Sequence, residues 1–423
     1  MSTHQTTSLL LGLAVIVLLA RLLGALARRL GQPAVIGEVV AGIALGPTLV
    51  NGTLSEHLFP TDTRPLLSAL AAVGVAVFMF IVGLEVDAAL LRGNTRLATT
   101  VSFASLMVPF GLGTLLALHL ADDYGTDDTT GFMLFLGIAM SITAFPVLAR
   151  ILTDRQMTRT SLGAMAIACA AIGDVLAWAL LAVIVAVSGS ADADQWRMLL
   201  AIPYLAAMLF AVRPLLRRYA DRGAHPTLTP TVFACVLAGL LLSAAATEWV
   251  GLHYIFGAFL FGAVLPRTGT DHLRTHIHDR LGQMTSTLLL PVFFLVSGLQ
   301  VDLSTLDSSA LGALALILLV AVGGKFLGAF TAARLHKMPS RPAAALATLM
   351  NTRGLTELIV LNVGLQLGFL GRDLYSLMVV MAVLTTAMTG PLLNWIIGRP
   401  TADTTTPHAP GPPAETETVR TAA

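Results

Sequence analysis

Residues 160–191 read TSLGAMAIACAAIGDVLAWALLAVIVAVSGSA, and Asp174 is the one charged side chain in this stretch. An apolar run of this length matches a helix that spans the ~30 Å hydrocarbon core of a bilayer. A carboxylate near the middle of such a helix costs at least ~2.5–3.5 kcal/mol to insert, and such residues are usually functional. The stretch therefore predicts a membrane helix whose aspartate lies on an ion or proton path. The alternative is a structural aspartate bonded to a neighbouring helix.

Composition extends this interpretation to nearly the whole chain. Of the 423 residues, 56% are hydrophobic and 12% are charged, and the mean hydropathy is +0.81. We predict an all-α polytopic membrane protein in a lipid bilayer, with thirteen transmembrane helices. We expect no enzymatic activity, no cofactor and no nucleic-acid partner. The predicted spans are about 7–27, 34–50, 66–86, 98–120, 131–152, 161–188, 198–216, 229–247, 252–266, 284–301, 310–333, 343–367 and 374–397.

The positive charges alternate across these spans. Connections after odd-numbered spans, together with the start of the tail, hold eighteen of the 25 Lys and Arg residues, whereas connections after even-numbered spans hold three. Because cytoplasmic loops collect Lys and Arg, this predicts a cell-membrane protein with its N-terminus outside and its C-terminus in the cytoplasm. Residues 1–398 are predicted to form the transmembrane domain, and the Pro- and Thr-rich residues 399–423 a disordered cytoplasmic tail.

Two segments of the chain repeat after an odd number of spans. FMFIVGLEVD at 78–87 matches FFLVSGLQVD at 293–302, and GEVVAGIALGP at 37–47 resembles GAFLFGAVLP at 257–266. Each match shifts the chain by seven predicted spans, so the two copies face opposite sides of the membrane. Inverted-topology repeats of this kind are typical of alternating-access transporters, whose sites lie near the bilayer midplane.

The repeat pairs the fifth span with the twelfth, and both are interrupted by polar residues. The fifth contains Pro146 after SITAF, and the twelfth contains Asn351, Thr352 and Gly354. Interrupted helices at corresponding positions predict a transporter site, since freed carbonyls can coordinate a cation and half-helix ends carry fractional charge. The alternative is an ordinary proline kink.

Few charges remain inside the predicted spans. Lys325 is one of two lysines among the 25 Lys and Arg residues. A buried lysine can release a proton whereas arginine stays protonated, so Lys325 is either a proton-exchanging group or a static partner for a carboxylate. Arg353 and Glu357, four residues apart, are predicted to pair on one helix face, with Arg353 compensating helix-end charge. We interpret Glu38 as structural.

Asp174 differs from these residues because small neighbours surround it in the sequence. Ala170, Ala171, Gly173 and Ala177 leave room for close helix approach and for water or an ion. A carboxylate there can hold a proton or an alkali cation but not both, and this competition is sufficient for cation–proton exchange. Hydroxyls and carbonyls nearby would suit Na⁺ and K⁺ equally.

Several motifs together resemble the monovalent cation–proton antiporter superfamily, in the branch with CHX-type and Kef-type systems and NapA-type antiporters. They are LGQPAVIGEVVAGIALGP (30–47), FMFIVGLEVD (78–87), SITAFPVLARIL (141–152), the Asp174 helix and MNTRGLTELIVLN (350–362). The resemblance covers about residues 8–397. It implies a NapA-like fold with two crossed, interrupted helices and a homodimer. It also implies a mobile core of spans four to six and eleven to thirteen, about 98–188 and 310–397, with dimerisation helices forming the remainder.

The same resemblance assigns site residues. Asp174 matches the ion-carrying aspartate of the family and Lys325 its conserved-motif lysine, while Ser141, Thr143 and the Arg353 region fall at the crossed helices. We therefore expect Ser141 and Thr143 to bind the cation or proton together with Asp174. One departure is Gly173, where the family usually has Asn or Asp. A missing second carboxylate predicts that Lys325 pairs with Asp174 itself and that exchange is electroneutral. The alternatives are that the missing side chain weakens coupling or changes the cation.

The predicted function is exchange of Na⁺ or K⁺ for H⁺ by alternating access, with cation and proton competing for Asp174. The alternatives are a channel-like K⁺ efflux pathway without obligatory proton coupling and a membrane sensor that has lost transport. No metal site is expected beyond the transported cation. We interpret His272, His276 and His278 as residues of a solvated cytoplasmic loop over 267–283.

Overall fold

The computed structural model describes residues 3–47, 56, 58–85, 95–157, 160–188, 200–222, 229–250, 252–266, 270–304 and 307–397. Within them the chain forms fifteen helices and no strand. In the first half these are α1 (Thr3–Arg29), α2 (Ala34–Leu45), α3 (Arg64–Glu85), α4 (Thr95–Tyr124), α5 (Thr129–Ser141), α6 (Phe145–Asp154) and α7 (Ser161–Ser188). The predicted tail lies outside the described residues.

The second half contains eight helices, two of which include a π-helical turn. They are α8 (Ala201–Ala207, Met208–Val212, Arg213–Arg222), α9 (Pro230–Val250), α10 (Tyr254–Val264), α11 (Asp271–Met284, Thr285–Leu289, Leu290–Leu299), α12 (Ser308–Leu335), α13 (Ser340–Met350), α14 (Leu355–Gln366) and α15 (Arg372–Ile397).

Each predicted span overlaps a described helix, and spans five and twelve correspond to the helix pairs α5/α6 and α13/α14. By length and composition, eight helices of the described residues can cross a membrane, and four apolar helices of 10–17 residues accompany them. The all-α membrane architecture is therefore confirmed, whereas the count of thirteen crossings stays a prediction.

The helices pack as two bundles. The first bundle contains α1, α2, α3 and α8 to α11, and the second bundle contains α4 to α7 and α12 to α15. Among the described helices, packing within each bundle is denser than packing between the bundles. The second bundle consists of the helices that the resemblance assigns to a mobile core.

Glycines at the closest helix approaches follow the inverted repeat. In the contact of α2 with α11, a Cβ on Gly42 would lie 2.8 Å from the α11 backbone, and one on Gly298 would lie 2.6 Å from Gly42. In the contact of α10 with α3, a Cβ on Gly83 would lie 2.1 Å from the α10 backbone, and one on Gly262 would lie 2.2 Å from the α3 backbone. The repeat relates Gly42 to Gly262 and Gly83 to Gly298. The two contacts are therefore equivalent when the copies are exchanged, as an inverted repeat requires.

The loop predicted over 267–283 is wrong, because α11 begins at Asp271 and continues through the predicted tenth span. Leu273, Ile277 and Leu281 are buried on one side of this helix, at the i, i+4 spacing of an amphipathic helix. His272, His276 and His278 are exposed on its other side. Among the described residues, no group of three or more His, Cys, Asp or Glu side chains could hold a metal ion.

The two ends of the bundles differ in charge. Arg28 and Arg155 line one cavity where α1 and α6 end, and we call this end the basic face. At the opposite end, Asp123, Asp307 and Asp373 lie within electrostatic reach of Tyr124, and we call this end the acidic face.

Candidate functional site

The interruptions of the two broken spans lie against each other in the second bundle. The backbone amide of Ala144 donates to the carbonyl of Thr352 over 2.9 Å, and the hydroxyl of Thr143 donates to the carbonyl of Met350 over 2.9 Å. Pro146 is in the first turn of α6, where a missing amide proton leaves no helical hydrogen bond unmade. The fifth span is therefore divided into two helices rather than kinked at its proline.

Arg353 closes the end of α5 from the opposite interruption. Its guanidinium donates to the carbonyl of Ala139 over 2.9 Å and to that of Met140 over 2.5 Å. The last carbonyls of a helix have no intrahelical partners and carry partial negative charge. Arg353 also forms an ion pair with Glu357 over 2.8 Å, and both side chains are 0% exposed. The arginine thus neutralises a helix end and a buried carboxylate together.

The backbone of Arg353 is held by α15. The Arg353 amide donates to the hydroxyl of Thr386 over 3.2 Å, and that hydroxyl donates to the Arg353 carbonyl over 2.7 Å. The carbonyls at residues 139, 140, 350 and 352 therefore accept hydrogen bonds from protein donors. The Arg353 carbonyl shares the single proton of the Thr386 hydroxyl with the carbonyl of Ala382, which lies 2.8 Å from that hydroxyl. These bonds fix the direction of each carbonyl, and each oxygen keeps a second lone pair. Sequence reasoning missed Thr386, for which the one signal was a pair of threonines in an apolar span.

Lys325 lies against the interruption between α5 and α6. Its side chain is 1% exposed, and its ammonium donates to the hydroxyl of Thr143. Because that hydroxyl gives its own proton to Met350, it accepts from the lysine. The charged groups whose fields reach Lys325 are Arg353, Glu357 and Asp174, in decreasing order of effect.

Asp174 lies halfway along α7 and is 3% exposed. α7 packs against α5, α6 and α13, which belong to the two broken spans. Outside α7 itself, no described atom lies within 4 Å of the position that a Cβ on Gly173 would occupy. A small side chain at residue 173 would therefore begin in open space.

A cavity of about 480 Å³ opens on the basic face between the two bundles. It extends from Arg28 and Gln32 of the first bundle to Arg155 and Thr386 of the second. Thr386 holds the Arg353 backbone, so the cavity reaches the second interruption. On the acidic face, the space between the bundles is a cavity of about 50 Å³ beside His253 and Asn362.

The predicted site residues are gathered in the second bundle, with different partners. Thr143 contacts Lys325, and Arg353 contacts Glu357. The hydroxyl of Ser141 instead donates to the carbonyl of Gly137 within its own helix over 2.8 Å. The remaining predicted residues at the second interruption, Asn351, Thr352 and Gly354, are buried as well. Glu38 is half-buried on α2, in the first bundle.

Gly354 permits the turn into α14, and we predict that Gly354→Ala destabilises the protein. Its φ of 151° is unfavourable for residues with a side chain, and an added Cβ would lie 2.7 Å from Val147 Cγ2. The expected loss is about 1–3 kcal/mol, measured as a lower midpoint in a thermal unfolding scan of the detergent-purified protein. The control is Gly312→Ala in α12, where a Cβ meets open space and helix propensity improves. Equal midpoints for the two variants would contradict the predicted strain.

Comparisons with known proteins place the chain in a family. The family profile described as "Sodium/hydrogen exchanger, transmembrane" matches residues 14–397. The Na⁺/H⁺ antiporter NhaS4 of Synechocystis sp. is 38% identical over 413 residues, covering 95% of this chain and 100% of that protein. The K⁺/H⁺ antiporter 1 of Saccharomyces cerevisiae is 32% identical and the match covers 93% of this chain and 47% of that protein.

A plant relative and a solved structure show the same similarity. Cation/H⁺ antiporter 20 of Arabidopsis thaliana is 36% identical over 89% of this chain and 47% of its own length. The chain thus spans about half the length of its plant and yeast relatives. The sodium proton antiporter MjNhaP1 from Methanocaldococcus jannaschii matches with a TM-score of 0.66 at 15% identity, over 92% of this chain and 96% of that one. The antiporter fold predicted from the motifs is therefore confirmed, and the chain belongs to the sodium/hydrogen exchanger family.

Proposed function

We propose that the protein exchanges a monovalent cation, Na⁺ or K⁺, for H⁺ by alternating access, with Asp174 as the site that both ions share. The observation that carries this proposal is a buried carboxylate halfway along α7, a helix that packs against both broken spans. Relatives named for Na⁺/H⁺, K⁺/H⁺ and cation/H⁺ antiport support the reaction class. The two ions are mutually exclusive at Asp174, because one carboxylate balances one positive charge.

The charged residues around the crossing have separate roles in this proposal. Arg353 fixes the end of α5 and keeps Glu357 paired, so that pair forms the static frame of the site. Lys325 holds Thr143 and supplies a positive charge near Asp174. When a cation binds Asp174, it neutralises the carboxylate and weakens the attraction between Asp174 and Lys325. The charge of Lys325 is thereby coupled to the occupancy of the site.

The orientation follows from the charges at the two ends of the molecule. Because cytoplasmic loops collect Lys and Arg, the basic face is assigned to the cytoplasm and the acidic face to the outside of the cell membrane. With this assignment, the cavity of about 480 Å³ opens to the cytoplasm. We assign the first bundle to dimerisation and the second bundle to the mobile core. We propose that the protein forms a homodimer.

Proteoliposomes test the reaction. An imposed gradient of Na⁺ or of K⁺ is expected to drive protons in the direction opposite to the cation. An entrapped dye should then report a rise of internal pH when the cation enters the vesicles. Cation flux without a pH change would instead support a channel-like pathway. Neither flux nor pH change, in vesicles that contain correctly folded protein, would support a sensor.

We predict that the wild-type exchange is electroneutral, since Gly173 leaves Asp174 without a carboxylate neighbour in sequence. With Na⁺ as the exchanged cation and equal K⁺ on both sides of the membrane, valinomycin clamps the membrane potential at zero. The wild-type rate is expected to be the same with and without valinomycin. Gly173→Asp is expected to make the rate depend on potential, because its Cβ meets open space and the added carboxylate adds one charge to the cycle. Gly173→Asn adds the same volume without the charge and is the control. A potential-dependent wild-type rate would refute electroneutrality.

A further inference from the structure

Hydrogen bonds between the two bundles are distributed unequally between the faces. On the acidic face, Ser297 of the first bundle accepts from Tyr375 at its carbonyl over 3.1 Å and from Asn362 at its hydroxyl over 3.3 Å. His253 and Gln366 share a further bond of 3.3 Å. On the basic face, the described bond that joins the bundles runs from the Gln32 side-chain amide to the carbonyl of Ala387 over 3.1 Å. That bond lies at the edge of the large cavity, which Gln32 also lines.

The Ala387 carbonyl is available because of a proline one turn later. Pro391 lies inside α15 and has no amide proton. In a regular helix the amide of residue 391 would donate to the carbonyl of residue 387. A proline there removes that hydrogen bond and leaves the carbonyl without its helical donor. The Gln32 amide supplies a donor from the other bundle.

The backbone places Gln32 firmly for this contact. α1 ends in a Schellman motif, in which Gly31 has a φ of 72° and the Gln32 amide donates to the carbonyl of Ala27 over 2.9 Å. Pro33 follows immediately and precedes the first turn of α2. Because the turn fixes the Gln32 backbone, the side chain loses less conformational freedom when it binds Ala387.

We propose that Gln32 is a positioning residue for the exchange cycle, whose bond to the proline-freed Ala387 carbonyl stabilises the state in which the basic-face cavity is open. This inference rests on the proposed alternating-access function. Movement of the second bundle against the first separates Gln32 from Ala387, so the bond is lost in the alternate state. Removal of either partner therefore shifts the population away from the state with the open basic face.

Reporter labelling tests this shift without requiring transport. The reporter is Ile151→Cys, since Ile151 lines the cavity, in a chain whose native Cys169 and Cys235 are replaced by alanine. A membrane-impermeant maleimide is applied to the protein in proteoliposomes. Gln32→Met keeps the side-chain length but removes the donor, and labelling is expected to slow by up to about 12-fold, the value of one neutral hydrogen bond.

We call the bond between Gln32 and Ala387 the latch. A second variant and a control separate loss of the latch from a general structural effect. Pro391→Ala returns a helical donor to the Ala387 carbonyl. Because that carbonyl then has a donor besides Gln32, the slowing caused by Gln32→Met is expected to be smaller in the Pro391→Ala background. Gln156→Met is the matched control, because Gln156 lines the same cavity and the described structure gives its side chain no hydrogen bond. Unchanged labelling in Gln32→Met, equal slowing in Gln156→Met, or independent effects that multiply in the double variant would each overturn the proposal. If Pro391→Ala does not fold, the comparison of Gln32→Met with Gln156→Met still decides.

Exchange measured in the same vesicles distinguishes this proposal from the proposed function. If the wild-type chain shows no exchange while labelling follows the expected pattern, the latch stands and the exchange function fails. If exchange is present and labelling does not change, the exchange function stands and the latch fails. A latch effect on exchange is expected in the apparent KM for the cation at the basic face, which rises by up to about 12-fold in Gln32→Met.

Discussion

Asp174→Asn is expected to reduce cation-driven proton movement to the level of protein-free vesicles. An asparagine amide does not bind and release a proton near neutral pH, and it does not balance the charge of a bound cation. The substitution preserves shape, so the helix packing around residue 174 should survive. The measurement is the pH change inside proteoliposomes after a Na⁺ or K⁺ gradient is imposed.

The control for this variant is Asp307→Asn, the same substitution at the acidic face. Asp307 caps the start of α12 by accepting from the amide of Ala310 over 2.8 Å, and asparagine also serves as an N-cap. Exchange should persist in this control. Persistent exchange in Asp174→Asn itself would move the ion site to a different residue.

Arg353→Met is expected to cause the largest loss of stability among the substitutions considered. It removes the charge that compensates the buried Glu357 and leaves the carbonyls of Ala139 and Met140 without their guanidinium donors. Breaking a buried ion pair on one side typically costs about 3–5 kcal/mol, because an uncompensated buried charge remains. The measurement is the midpoint of thermal unfolding in detergent, followed by the monodisperse fraction on size exclusion.

A second substitution separates the effect of the unpaired Glu357 charge from the effect of the hydrogen bonds lost at the end of α5. In the double variant Arg353→Met, Glu357→Gln the buried charge is gone, and only the carbonyl contacts are missing. Its unfolding midpoint should lie between those of the wild type and Arg353→Met. A double variant no more stable than Arg353→Met would show that Glu357 is not the group that the arginine compensates.

Much of the fold could be predicted because its signals are local. Apolar length identifies the spans, and the matched decapeptides at 78–87 and 293–302 identify the inverted repeat. Polar interruption identifies the broken spans, and the four-residue spacing of Arg353 and Glu357 identifies their contact. Each signal is visible in short stretches of sequence, without knowledge of the contacts between them in the fold.

The partners at the site could not be predicted in the same way, because they depend on packing between distant segments. Thr386 holds the Arg353 backbone from 33 residues away, and Gln32 contacts Ala387 across 355 residues. The loop predicted at 267–283 failed for a different reason. That segment is rich in charged and histidine residues, which are typical of a solvated loop. Leu273, Ile277 and Leu281 nevertheless have helical spacing, and burial of this apolar face explains the observed start of α11.

Proton release on cation binding tests the central claim most directly, since the claim is that one carboxylate holds either ion. NaCl or KCl is added to the purified protein in a weakly buffered solution with a pH dye, and choline chloride is added to a matched sample. The wild-type protein is expected to release up to one proton per protomer with the transported cation, while Asp174→Asn releases none. Cation binding by the wild type without proton release, or equal release from Asp174→Asn, would contradict the shared site.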